Sequence, residues 1–203
     1  MTRTSKAILA VTVAYGVLWT GTSLAGQDSQ AIMTVTGRTT QPIGHYEYCK
    51  KYVRDCSIRS SNTAPVKLSR ARWNEVVSIN SQVNNLIIPV TDQELYQVEE
   101  LWTYPQSYGD CEDYVLLKRK LLLEKGWPPS SLLITVVRQP NGDGHAVLTV
   151  RTDASDFILD NLNDRVLAWN ETRYQFLKRQ AAANSGRWEA IDDSRTKYVG
   201  SVN

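Results

Sequence analysis

Cys111 stands between Asp110 and Glu112 in YGDCEDYVLLKRKLLLEKG, residues 108–126, where helical patterning begins. Asp110 is the expected N-cap, acids fill the first turn, and basic residues follow at 118–120 and 125. Gly126 with Pro128 and Pro129 then stops the helix. A cysteine in the first turn meets unpaired backbone N–H groups and the positive end of the helix dipole. Both favour thiolate, the nucleophilic form. The other reading is a buried structural cysteine.

A thiol nucleophile needs a base, and the base needs a third group to fix its orientation. The chain has two histidines, His45 and His145. His145 lies between Gly144 and Ala146, small neighbours that leave room for a substrate. His45 lies among aromatic residues and reads as structural. Asp160 follows Ile158 and Leu159 and is expected inside a strand. Asp153, Asp156 and Asp164 compete for the orienting role from turns.

The elements that must position these groups change character along the chain. His45 to Asp55 reads as a first helix or helical turn. Leu68 to Ile88 reads as a longer one, with Ser69 as N-cap, a stripe of Trp73, Val76, Val77, Val83, Leu86 and Ile87, and Pro89 as its end. After the Cys111 helix come expected strands at 132–138, 145–151 and 157–162, around 166–169, at 176–179 and at 187–191. Helices followed by an antiparallel sheet define an α+β domain. Facing side chains on adjacent strands lie about 5 Å apart, which lets His145 and Asp160 touch in a suitable register.

The 203 residues suit one domain with a real core. Arg3 and Lys6 precede an apolar run from Ala7 to Trp19, and Ser23-Leu24-Ala25 supplies small residues at a cleavage site. Residues 1–25 read as a secretory signal, with an uncleaved anchor as the alternative. The expected layout continues with a flexible lead-in at 26–44, one short strand near Ile32 to Val35, the domain at 45–191 and a tail at 192–203. Removing Arg3 and Lys6 from the 23 basic residues leaves 21 against 21 acidic ones. A near-neutral mature chain argues against nucleic-acid or anionic-membrane binding. Of three cysteines, Cys49 and Cys56 either form a disulfide in an oxidising compartment or are two reduced core residues on one helical face. The first reading leaves Cys111 single.

YGDCEDYVLLKRKLLLEKGWPPSSL, GDGHAVLTVRT, FILDNLNDRVLAW and YQFLKRQ together resemble the bacterial transglutaminase-like cysteine proteinases, whose best understood members are the LapG-type periplasmic proteases. The segments HYEYC, WNEVVSINSQVNNLIIPVTDQE and EELWTYP extend the resemblance over most of residues 45–180. It implies a transglutaminase/papain-like core with Cys111, His145 and Asp160 as a catalytic triad. It further implies a large surface adhesin as substrate, an inner-membrane receptor for a cyclic dinucleotide as restraint, and calcium as cofactor. The calcium ligands it implies are Asp110 and Glu112, with Asp113 as an extra one.

Two carboxylates beside a thiol disfavour its anion, and a bound divalent cation reverses that penalty. Hard carboxylate oxygens suit calcium, although two acids make an incomplete site. The competing reading makes them helix-capping acids only. The expected chemistry is thiolate attack on a peptide carbonyl, with the oxyanion met by N–H groups at the helix head and by Trp102. A transglutaminase or amidase uses the same triad, and a silent calcium-binding module is the non-enzymatic alternative.

Overall fold

The computed structural model describes Met1 and residues 32–195. Residues 2–25 of the expected signal, 26–31 of the expected lead-in and 196–203 of the tail lie outside the described residues.

Helices come first. The helix or helical turn expected at 45–55 is two pieces, α1 (Ile43–Lys51) and a single turn, α2 (Val53–Cys56). Cys49 and Cys56 close across the break as a disulfide, which settles their pairing. α3 (Arg70–Leu86) starts where expected, with the Ser69 hydroxyl accepting from the Arg72 N–H. Its buried face is Val76, Ile79, Asn80 and Val83, while Val77 and Leu86 point to solvent. The apolar stripe read from the sequence was therefore partly off the buried face. Trp73 instead packs edge-on against Phe157.

Pro89 does not simply end α3. It lies in β2 (Ile88–Pro89), which pairs in parallel with β3 (Tyr108–Gly109). Between them sits α4 (Asp92–Tyr96), started by a capping box of Thr91 and Glu94. α5 (Cys111–Glu124) follows β3 directly. Its end has the hydrogen bonds of a Schellman motif: Gly126 N–H to the Leu123 carbonyl and Trp127 N–H to the Leu122 carbonyl. Gly126 takes φ of 80°, the left-handed turn this motif requires.

Seven antiparallel strands form the sheet in the order β1-β9-β8-β4-β5-β6-β7. They are β1 (Val35–Thr39), β4 (Leu132–Arg138), β5 (Gly144–Arg151), β6 (Asp156–Leu159), β7 (Leu167–Ala168), β8 (Gln175–Ala181) and β9 (Asn184–Ile191). The strand expected near 32–35 thus begins at Val35 and joins the sheet edge through β9.

One face of the sheet carries α3 and α5. Val76, Ile79 and Val83 of α3 meet Val115 and Leu122 of α5 and Ile134, Leu148, Val150 and Leu159 of the strands, all buried. Each such side chain contributes about 1.5–3 kcal/mol of burial free energy. Met33, Val137, Val147, Ile158, Trp169 and Phe176 form a second core on the other face. α5 is thereby pinned across β4 and β5 with its N-terminus near the start of β5.

Candidate active site

Cys111 opens α5 and is half-buried, the one free cysteine of the chain. Its S–H donates to Glu112 Oε2 at 3.2 Å. Burial, the Glu112 charge and the Glu112 hydrogen bond raise the thiol well above its ordinary range, with a smaller push from Asp110.

His145 is the second residue of β5 and is buried. Its Nε2 lies 2.8 Å from Asp160 Oδ1. A carboxylate only accepts, so Nε2 carries the proton, and Nδ1 is left as the nitrogen able to take one from a thiol.

Asp160 is not inside a strand as expected: β6 ends at Leu159. The β5–β6 register pairs Leu148 with Leu159, so His145 has no partner on β6. Contact arises because the chain turns after Leu159 and carries the carboxylate back to His145. Asn80 Oδ1 accepts from the Asp160 N–H, and the Asn84 amide donates to the Asp160 carbonyl and to Asp164 Oδ1. α3 therefore holds the turn.

The Asp160 carboxylate is also tied by the Leu162 N–H on Oδ1 and by the Tyr174 hydroxyl on Oδ2 at 2.5 Å. Burial alone would raise its pKa. The hydrogen bonds and charge of His145, with help from Tyr174 and Leu162, hold it below the usual value.

Cys111 and His145 line one cleft of about 390 Å³, together with Glu99, Glu100, Trp102 and Lys178. A Cβ added at Gly144 would meet nothing within 4 Å, so the approach beside His145 is open. The Trp102 indole N–H donates to Glu100 Oε1 at 2.7 Å. In this conformation it is committed there rather than to an oxyanion. His45 is structural in its contacts: it is buried against Trp102 and Trp188 and bonded by the Trp188 indole and the Gln180 amide.

Asp110 occupies the N-cap position of α5, yet its side chain makes no capping bond. Its Oδ2 accepts from the Asp92 N–H. Asp92, Asp110 and Asp113 each offer a carboxylate oxygen within 4.8 Å of the others. Asp92 Oδ2 accepts from Leu101 N–H and Asp113 Oδ1 from Thr103 N–H. Each acid leaves its remaining oxygen buried with no hydrogen-bond partner among the described residues.

Burial and the neighbouring charges raise Asp92 and push Asp113 up to about 8. Orphaned buried carboxylate oxygens are costly, and a divalent cation satisfies them with the hard oxygen donors it prefers. The cluster therefore fits calcium. Glu112, expected as a ligand beside Asp110, is not in this group; its carboxylate faces the Cys111 sulfur. Asp92 takes its place, brought in by α4 and not signalled by any spacing around Cys111.

The profile of bacterial transglutaminase-like cysteine proteinase BTLCP matches residues 35–196. No curated protein sequence matches the chain. Three solved structures of Legionella pneumophila LapG are similar. The EGTA-treated form is 25% identical with a TM-score of 0.51, over 64% of this chain and 75% of that one. The calcium-bound form is 23% identical with a TM-score of 0.48, over 56% of this chain and 66% of that one. A third is 22% identical with a TM-score of 0.49, over 65% and 75%. The chain thus spans as little as 66% of the length of these LapG chains. With the sheet, the helix-borne cysteine and the profile match over residues 35–196 in agreement, the chain belongs to the bacterial transglutaminase-like cysteine proteinases, a family of cysteine proteases.

Proposed function

We propose that this protein is an exported, calcium-dependent cysteine endopeptidase in which Cys111 is the nucleophile, His145 the base and Asp160 its orienting partner. One observation carries the reading. The His145 Nε2 to Asp160 Oδ1 bond leaves Nδ1 free for a thiol, in the same open cleft as the Cys111 sulfur.

The Cys111 proton passes to His145 Nδ1 as the sulfur bonds to the peptide carbonyl carbon. N–H groups in the first turn of α5 lack helical partners and receive the developing oxyanion. His145 returns its proton to the leaving amine as the C–N bond breaks. Water, deprotonated by His145, then cleaves the thioester and releases the free thiol. Asp160 holds the tautomer throughout. Asp92, Asp110 and Asp113 would hold the calcium ion, which supplies positive charge beside the nucleophile.

The Cys49–Cys56 disulfide favours an oxidising compartment, in line with export to the periplasm. The substrate we assign is a protein, a large surface adhesin, and an inner-membrane receptor for a cyclic dinucleotide is the regulatory partner.

The test is C111A against the wild-type chain on a peptide library in calcium chloride, reading new N-termini by mass spectrometry. Cleavage should vanish in C111A while its melting temperature stays unchanged. Cleavage by C111A at the wild-type rate removes the nucleophile. An added amine probe appearing in the products would reassign the chain to transamidation.

A further inference from the structure

The proposed mechanism gives no role to a second hollow of about 390 Å³, two of whose lining residues touch His145. Asp160 bonds the ring at Nε2, and the Tyr174 ring lies 5.5 Å away, centre to centre. His145 and Gly144 themselves line the cleft that holds Cys111. The imidazole therefore stands between the nucleophile's cleft and this hollow.

The hollow is apolar within and cationic at its rim. Ile158 is buried, Leu167 half-buried and Leu162 58% exposed, so apolar surface runs from the interior outwards. Arg165 and Arg173 complete the lining; both are exposed, and neither forms an ion pair among the described residues. The two acids of the lining are engaged elsewhere. Asp160 accepts from His145, Tyr174 and the Leu162 N–H, and Glu171 Oε2 accepts from the Ala168 N–H. Arg195 braces one wall, donating to the Thr172 and Tyr174 carbonyls.

We propose that this hollow is the subsite for the leaving half of the peptide. It takes an apolar side chain with an aspartate or glutamate beside it, within the first few residues after the scissile bond. This rests on the protease reading given above and names the substrate sequence that reading requires.

The direction follows from the proton. His145 hands its proton to the leaving amine, so the chain beyond the scissile bond runs past the imidazole and away from Cys111. A Cβ added at Gly144 would meet nothing within 4 Å, which leaves the route beside the ring open. An extended chain advances about 3.3 Å per residue, so a few residues reach a hollow whose walls already touch the ring. Burial of the apolar side chain supplies affinity. The two guanidinium forks select the charge: a carboxylate meets unpaired donors, whereas a lysine in its place meets two like charges.

The experiment digests a proteome-derived peptide library in calcium chloride with the wild-type chain and C111A, reading both sides of each cut by mass spectrometry. Cuts lost in C111A should share an aliphatic or aromatic residue with an adjacent acid downstream, and no such pattern upstream. A peptide of that type and its twin with lysine for the acid then go to wild type and R165E/R173E. Wild type should favour the acidic peptide in kcat/KM by about fivefold, and R165E/R173E should favour the lysine peptide. The variant must also cut the lysine peptide faster than wild type does, a gain that a damaged fold cannot give. R165Q/R173Q takes its place if the native near-ultraviolet dichroism is lost, and should bring the two peptides level. A wild-type preference unchanged in the variant, or cuts with no downstream pattern, overturns the proposal alone. Cuts that persist in C111A, or no cut by wild type, remove the protease reading and this subsite with it.

Discussion

Tyr174→Phe removes one oxygen and leaves the ring against His145, whose centroid is 5.5 Å away. The lost hydroxyl is the donor to Asp160 Oδ2, on a carboxylate only 4% exposed. A hydrogen bond to a charged group contributes about 1.5–3 kcal/mol. For a domain of this size each kcal/mol moves the melting temperature by about 2–4 °C, which gives a fall of about 3–12 °C at pH 7. The pH dependence has a definite sign. Asp160 is held below its ordinary 3.8, so its stabilising contribution is present above that value and is lost as pH falls through the lower folded-state pKa. The gap between wild type and Y174F should therefore be full at pH 7 and should close in acid. Thermal melts by circular dichroism from pH 7 down to about 3 measure both quantities. A variant melting within about 1 °C of wild type at pH 7, or a gap that widens in acid, refutes the assignment of Tyr174 to Asp160.

Two further outcomes follow from other buried groups. His45 is lowered to about 4, by burial first and the Arg119 charge second, against 6.5 when free. Its neutral form is favoured in the fold, so this stability is complete above 6.5 and is lost as pH falls towards 4; urea unfolding at pH 7 and 5 should show a loss of about 2 kcal/mol that H45Q lacks. Calcium chloride should raise the wild-type melting temperature over EGTA, through binding to the native state. D92N should lose that shift and E112Q should keep it, whereas a full shift in D92N refutes the three-aspartate site.

The sequence pattern located α3, α5 and the strands within a few residues because each has a strong period and clear punctuation, such as Ser69, Gly126 and the turn at 139–143. It also picked out Cys111, His145 and Asp160; Cys111 and His145 line one cleft, and Asp160 is hydrogen-bonded to His145 behind it. The reason given for Asp160 was wrong in detail, since the residue lies past the strand end and reaches His145 through a turn. That turn depends on Asn80 and Asn84, long-range contacts without local signature, although a polar Asn80 on the buried face of α3 was a visible anomaly. Tyr174 and Asp92 were illegible for the same reason: each arrives from a separate element with no fixed spacing to the cysteine. Asp110 illustrates the opposite failure. Its place before the helix predicted a cap, but burial among two other acids turned its side chain elsewhere. Lys118, one of the bases along the Cys111 helix, is interior, which nothing in the sequence signalled.

The two-residue parallel pairing of Ile88–Pro89 with Tyr108–Gly109 joins both ends of the excursion from Val90 to Ser107. That excursion supplies Glu99, Glu100 and Trp102 to the cleft and Asp92 to the acid cluster, and none of the Cys111, His145 or Asp160 chemistry. With its anchor points fixed side by side, it is a cassette. Substitutions at its exposed Glu99 and Glu100 can change the cleft wall while the machinery that breaks the bond stays where the sheet and α5 hold it.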